Sequence, residues 1–98
     1  MARRRYIVGY DIADPKRLRK THEVVQGYGY RLQFSVFICD LSDAEKIALK
    51  AELSAVIHFT NDQVSIVDLG DAESRGQECF EFMGIRPTLP APRSPMIF

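Results

Sequence analysis

An apolar run that stops at an acid and turns at once into a helix constrains this chain more than any other feature. Arg5 to Asp11 has the alternation of a strand, with Tyr6, Val8 and Tyr10 on one face and Ile7 and Gly9 on the other. Both sets are apolar or small, so both faces of this strand need cover. Just beyond it, Asp14-Pro15 supplies a side-chain acceptor for a helix N-cap and a residue whose fixed φ suits the first helical position. A strand that feeds a helix across so short a link opens an α+β domain, and 98 residues leave room for one. Hydrophobic residues at 46% and charged residues at 27% suit a small globular core. A domain of this size buries only about two-thirds of its unfolded surface, so association with another chain is an early expectation.

The first helix is predicted from about Pro15 to Gln26, with Leu18, Thr21, Val25 and Tyr28 facing the sheet and Gly27 and Gly29 ending it. Tyr30 to Leu41 is rich in β-branched and aromatic residues and holds no turn residue, so it is expected as one long strand. Leu32, Phe34, Val36 and Ile38 alternate with Gln33, Ser35, Phe37 and Cys39 along it. Ser42-Asp43-Ala44-Glu45 is a capping box that starts a second helix running to about Ile57, with Leu49, Leu53 and Val56 as its apolar stripe. Gln63 to Leu69 is a further strand, Gly70 to Gly76 a polar loop, and Glu78 to Met83 a fourth strand with Phe80 and Phe82 on one side. The order is β-α-β-β-α-β in kind, although the unbroken second strand makes it read β-α-β-α-β-β. Either order gives an antiparallel sheet with two helices on one face. The other face is too apolar to be fully solvated, and a second copy of the chain is the simplest cover. Residues 1–84 form the domain, and 85–98 a proline-rich tail whose apolar end, Met96-Ile97-Phe98, is expected to dock, with the partner subunit as the candidate surface.

The same sequence excludes several classes of function. No apolar run is long enough to span a bilayer, and the stretch after the basic N-terminus is too short for a secretion signal, so a cytoplasmic protein is expected. Cys39 and Cys79 lack the spacing of a zinc site and are expected as buried small hydrophobes. No nucleophile elbow and no phosphate-binding glycine loop occur, and His22 and His58 stand far apart. Formal net charge is zero, yet Met1 to Arg31 carries eight basic and three acidic residues, and the remainder five basic and ten acidic. One end of the chain is therefore a candidate to meet a polyanion.

Asp11 is the sharpest candidate for chemistry, because a carboxylate that ends a strand beside a loop is placed to hold a metal or take a proton. Asp14 is explained by N-capping, and Tyr10 points to the face opposite Asp11. Lys16, Arg17, Arg19 and Lys20 crowd the first turns of a helix whose dipole already disfavours cations there, which makes sense if an anion binds nearby. Arg31, Gln33 and Ser35 fall on one face of the second strand, where they can track a phosphate backbone.

Tyr10-Asp11-Ile12, followed by Asp14, Arg17 and Arg19 and then by Arg31-Leu32-Gln33-Phe34-Ser35-Val36-Phe37, resembles the small CRISPR-associated endoribonuclease family, the smaller of the two core proteins of spacer acquisition. The resemblance spans the length of the chain. It implies a ferredoxin-like sandwich and a homodimer whose sheets face each other, with Asp11 of each subunit near the two-fold axis. It implies magnesium or another divalent cation held between those carboxylates, and hydrolysis of phosphodiester bonds in single-stranded RNA or double-stranded DNA. It also implies that the dimer bridges copies of a larger integrase. The alternative is a non-catalytic DNA-binding adaptor in the same assembly. The family's functional positions fall on Tyr10, Asp11, Arg17, Arg19, Arg31, Ser35 and Phe37. On that reading Asp11 is the metal ligand, and Tyr10, Asp11 and Ser35 form the catalytic set. Arg17, Arg19 and Arg31, with Lys16 and Lys20, contact phosphates, and Phe37 packs an interface. So few ligands imply weak metal binding, millimolar-scale magnesium and a rate that rises toward alkaline pH.

Overall fold

A computed structural model describes residues 2–87. Its elements are β1 (Arg4–Asp11), α1 (Pro15–Gln26), β2 (Tyr30–Gln33), β3 (Val36–Leu41), α2 (Asp43–Val56), β4 (Gln63–Asp71) and α3 (Arg75–Glu78). The four strands form one sheet in the order β2-β3-β1-β4 with every neighbouring pair antiparallel. This is the ferredoxin-like α+β arrangement, closed by one short helical turn. The proline-rich end and Met96-Ile97-Phe98 lie outside the described residues.

Both long helices start where the sequence places them. The Asp14 side chain accepts a hydrogen bond from the backbone N–H of Arg17 at 3.0 Å, with Pro15 directly after the cap. At α2, Ser42 Oγ accepts from the Glu45 N–H at 3.2 Å, while Glu45 Oε1 accepts from the Ser42 N–H at 2.8 Å. Tyr6, Val8 and Tyr10 of β1 meet Phe37, Cys39 and Leu41 of β3 beneath Val25 of α1 and Leu49 and Leu53 of α2. Burial raises the Cys39 thiol to about 12 and keeps it protonated, while Cys79 is only partly buried. Leu18, expected toward the sheet, is exposed.

Directly paired residues share a sheet face. Arg5, Ile7, Gly9 and Asp11 of β1 therefore lie on the face away from the helices, opposite Asp40, Ile38 and Val36 on β3 and Val67, Ser65 and Gln63 on β4.

Two expectations are corrected. Tyr30 to Leu41 is a hairpin, because the chain turns at Phe34-Ser35, where Phe34 adopts a φ of 33°. No glycine, proline or asparagine announces the turn, so propensity alone reads through it. Glu78 to Met83 does not join the sheet. The chain instead forms α3, and Phe80 and Phe82 stack on each other with ring centroids 5.9 Å apart. The approach of α3 follows from Arg5, whose side chain is 1% exposed: its guanidinium pairs with Asp40 at 2.7 Å and donates to the Gly76 carbonyl at 2.9 Å. A Cβ on Gly76 would sit 2.9 Å from both Arg5 Cβ and the Asp71 carbonyl oxygen, so only glycine lets the turn come that near.

Candidate active site and nucleic-acid surface

Asp11 ends the central strand β1, directly opposite Gln63 of β4. It is exposed, and among the described residues its carboxylate has no hydrogen bond or ion pair. With Gly9, Tyr10, Gln63 and Ser65 it lines a shallow hollow of about 210 Å³. Gln63 Nε2 donates to Ser65 Oγ at 3.1 Å, which places further oxygen-bearing side chains beside the carboxylate on the open sheet face.

The loop that follows Asp11 is held by a residue that pattern reasoning passed over. Asp62 accepts from the Ala13 N–H at 2.9 Å, from the His58 N–H at 2.8 Å and from Arg17 Nε and Nη2 at 2.8 and 3.1 Å. One carboxylate thus joins the β1–α1 loop, the first turn of α1 and the link from α2 to β4. The Arg17 guanidinium holds the Asp62 carboxyl well below the usual carboxylate range, aided by the two backbone donors. An acid before a strand carries no signal of such a role in the sequence.

Tyr10 and Ser35 come together on the opposite side of the sheet. Tyr10 N donates to the Ser35 carbonyl at 3.0 Å. The Tyr10 ring stacks on Phe37 with centroids 6.2 Å apart, and its hydroxyl lies 3.0 Å from His22 Nδ1. His22 also meets Phe37 edge-on. Burial raises the Tyr10 hydroxyl above its ordinary value, so it stays protonated near neutral pH. Tyr10, His22, Arg19, Arg31, Phe34 and Ser35 line a cleft of about 440 Å³ at this end of the sheet. The expected catalytic set is therefore divided between two faces, since Tyr10 and Asp11 are consecutive on a strand. Phe37, expected at an interface, is 1% exposed and belongs to the chain's own core.

The expected phosphate-binding cations are divided as well. Arg17 is committed to Asp62, whereas Lys16, Arg19, Lys20 and Arg31 have no ion pair among the described residues. Arg31 instead lies over the Phe34 ring, 5.9 Å from its centroid. The three N-terminal arginines are paired with acids from later in the chain: Arg3 with Glu45, Arg4 with Asp68 and Arg5 with Asp40. Half of the basic residues in this third of the sequence are paired within the fold, and the other four are concentrated on α1 and β2. Among the described residues no helix is long and apolar enough to cross a membrane.

Comparison with known proteins agrees with this geometry. A CRISPR-associated endoribonuclease Cas2 of Rhodospirillum rubrum is 46% identical over 68 residues, covering 69% of this chain and 67% of that protein. A CRISPR-associated endonuclease Cas2 of Halalkalibacterium halodurans is 32% identical over 97 residues, covering 94% of this chain and 97% of its own length. The crystal structure of Streptococcus pyogenes Cas2 superposes with a TM-score of 0.71 at 32% identity, covering 82% of this chain and 99% of the other. The family model for CRISPR associated protein Cas2 matches residues 4–76, a span that takes in the strand ending at Asp11, the clamp at Asp62 and the whole sheet, and the chain belongs to that family.

Proposed function

We propose that the chain is a divalent-metal-dependent endonuclease that hydrolyses phosphodiester bonds and works as a homodimer in CRISPR spacer acquisition beside a larger integrase. The observation that carries this reading is the state of Asp11. Asp40, Glu45, Asp62 and Asp68 are all engaged by arginines, while Asp11, at the end of the central strand, is exposed and unpartnered among the described residues. A carboxylate kept in that state stabilises nothing in the fold.

Among the described residues no three metal-ligating His, Cys, Asp or Glu side chains gather in one place. Magnesium, however, needs only one or two carboxylates and retains several waters. A second copy set against the open face across a two-fold axis supplies the second Asp11, and Gln63 and Ser65 add neutral oxygens nearby. The apolar side chains on that face, Ile7, Val36 and Val67, support such a contact, with Val67 half exposed. Such an ion would be held by the two Asp11 carboxylates and would supply Lewis acidity toward a phosphoryl oxygen and a more acidic water. The chain's own residues supply the rest: Asp11 anchors the charge, Arg19 and Arg31 fix the flanking phosphates, and the protonated Tyr10 hydroxyl donates a hydrogen bond in the cleft. Relatives named as endoribonucleases favour RNA as the substrate, and the relative named as an endonuclease keeps DNA in view.

Asp11→Asn tests the proposal. Cleavage of single-stranded RNA and duplex DNA, followed across a magnesium titration, is expected to fall by about a hundredfold while sedimentation still reports a dimer. Cleavage that persists in this variant would refute the role of Asp11. The second reading, a DNA-binding adaptor without chemistry, is favoured by the four unpaired cations on α1 and β2, which lie outside the hollow that Asp11 lines. It predicts that Asp11→Asn leaves spacer integration with the larger partner intact.

A further inference from the structure

We propose that Phe34 and Arg31 form a stacking site for one unpaired base, and that the adjoining cleft takes the phosphate attached to it, so that this end of the molecule selects single-stranded over duplex nucleic acid. The inference rests on the reading that the chain acts on nucleic acid and names which form of it this surface takes.

The first support is the position of Phe34. It is 81% exposed at the tip of the β2–β3 hairpin, where the fold gains almost nothing from an apolar ring. Its φ of 33° lies in the left-handed region, which disfavours side chains with a Cβ and suits glycine or asparagine. An aromatic residue is thus held outward at a turn where another residue would be more stable. The second support is Arg31. Its guanidinium lies over one face of the ring, which leaves the other face open to a flat partner and places a positive charge beside it.

The third support is the cleft. Phe34 and Arg31 form one wall, and Arg19, His22 and the Tyr10 hydroxyl complete it. Its volume of about 440 Å³ falls within the ~300–1,000 Å³ typical of small-ligand sites. Arg19 and Arg31 have no carboxylate partner among the described residues, so both are available to an anion. An exposed aromatic face beside unpaired arginines is the chemistry that holds a base and its phosphate. In a duplex both faces of each base are covered by its neighbours, so only a strand with unstacked bases can use the ring. A purely apolar peptide would use Phe34 but would have no use for the arginines.

The test compares wild type, Phe34→Leu and Phe34→Tyr on a short RNA carrying 2-aminopurine, on the DNA of the same sequence, and on each paired with its complement. Binding is read by anisotropy and stacking by fluorescence quenching. Phe34→Leu, which keeps bulk but loses the π-face, is expected to weaken single-strand binding about tenfold and remove the quenching, with duplex binding unchanged. Phe34→Tyr is expected to behave as wild type. Because Phe34 is exposed, matching thermal melts establish that the variants fold. Single-strand binding and quenching that survive in Phe34→Leu would overturn the stacking site, as would an equal loss on single strand and duplex. Wild-type binding without quenching would overturn this inference alone, whereas no binding to any probe would overturn the nuclease reading with it.

Discussion

Arg3, Arg4, Arg5 and Arg17 form one group of cations, and Lys16, Arg19, Lys20 and Arg31 another. The two groups interleave in the sequence and contribute equally to its basic first third. In the fold the first group is consumed, each arginine meeting an acid that lies 35 to 64 residues further on. The second group meets none among the described residues. The difference shows that a basic segment is not a basic surface. What a polyanion meets is the charge left after the fold has paired its own, and only the tertiary contacts decide which arginines those are.

The largest expected effect lies within the consumed group. Asp40→Ala removes the carboxylate that faces the enclosed Arg5 guanidinium and is expected to cost about 3 kcal/mol in urea denaturation. Arg5→Met is expected to cost less, because Asp40 is 17% exposed and can turn to water. If the two variants lose equal stability, the pair is not acting as an enclosed charge.

The next effect separates the two groups directly. Arg19→Gln and Arg31→Gln are each expected to reduce the slope of log affinity against log salt by about 1 on nucleic acid. Arg17→Gln is expected to leave that slope unchanged, because its guanidinium is held by Asp62, and to lower cleavage instead by loosening the loop after Asp11. A reduced slope in Arg17→Gln would place it with the phosphate-binding group.

Acid provides a smaller effect. The hydrogen bond from Arg3 holds Glu45 at about 2 rather than 4.5, and Asp68 is lowered in the same direction by Arg4. The stability these carboxylates supply is present in full above their unfolded values and is lost as pH falls through the lowered ones. Denaturation midpoints are therefore expected to decline from about pH 4.5 toward 2, with a shallower decline in Arg3→Gln. The smallest effect is at Arg4, whose exposed pair with Asp68 is screened by solvent. Arg4→Gln is expected to leave thermal melting unchanged.

Local chemistry was the legible part of this fold. Asp14-Pro15 and Ser42 with Glu45 placed both long helices, because a cap is a bond between neighbours in sequence. Asp11 was legible for the same reason, as the acid that ends an apolar strand. The hairpin was hidden because Phe34 adopts a turn geometry that its residue type disfavours. Phe80 and Phe82 have strand alternation, but the ring stack and the Arg5–Gly76 contact direct that segment elsewhere. Phe37 belongs to the core because it pairs with Val8 on the face that the two long helices cover. Asp62 was invisible, since its partners come from two loops and a helix that only the folded chain assembles.

The hydrogen bond from Arg5 to the Gly76 carbonyl links residues 71 positions apart. Synthesis therefore delivers the donor 71 residues before the acceptor. A nascent chain that stops short of position 76 has its first strand in hand but is missing one of the oxygens that make enclosure of that guanidinium tolerable. Such a truncated product is expected to be cleared by proteases more readily than its nearly complete sheet would suggest, because an enclosed charge then lacks one of its acceptors.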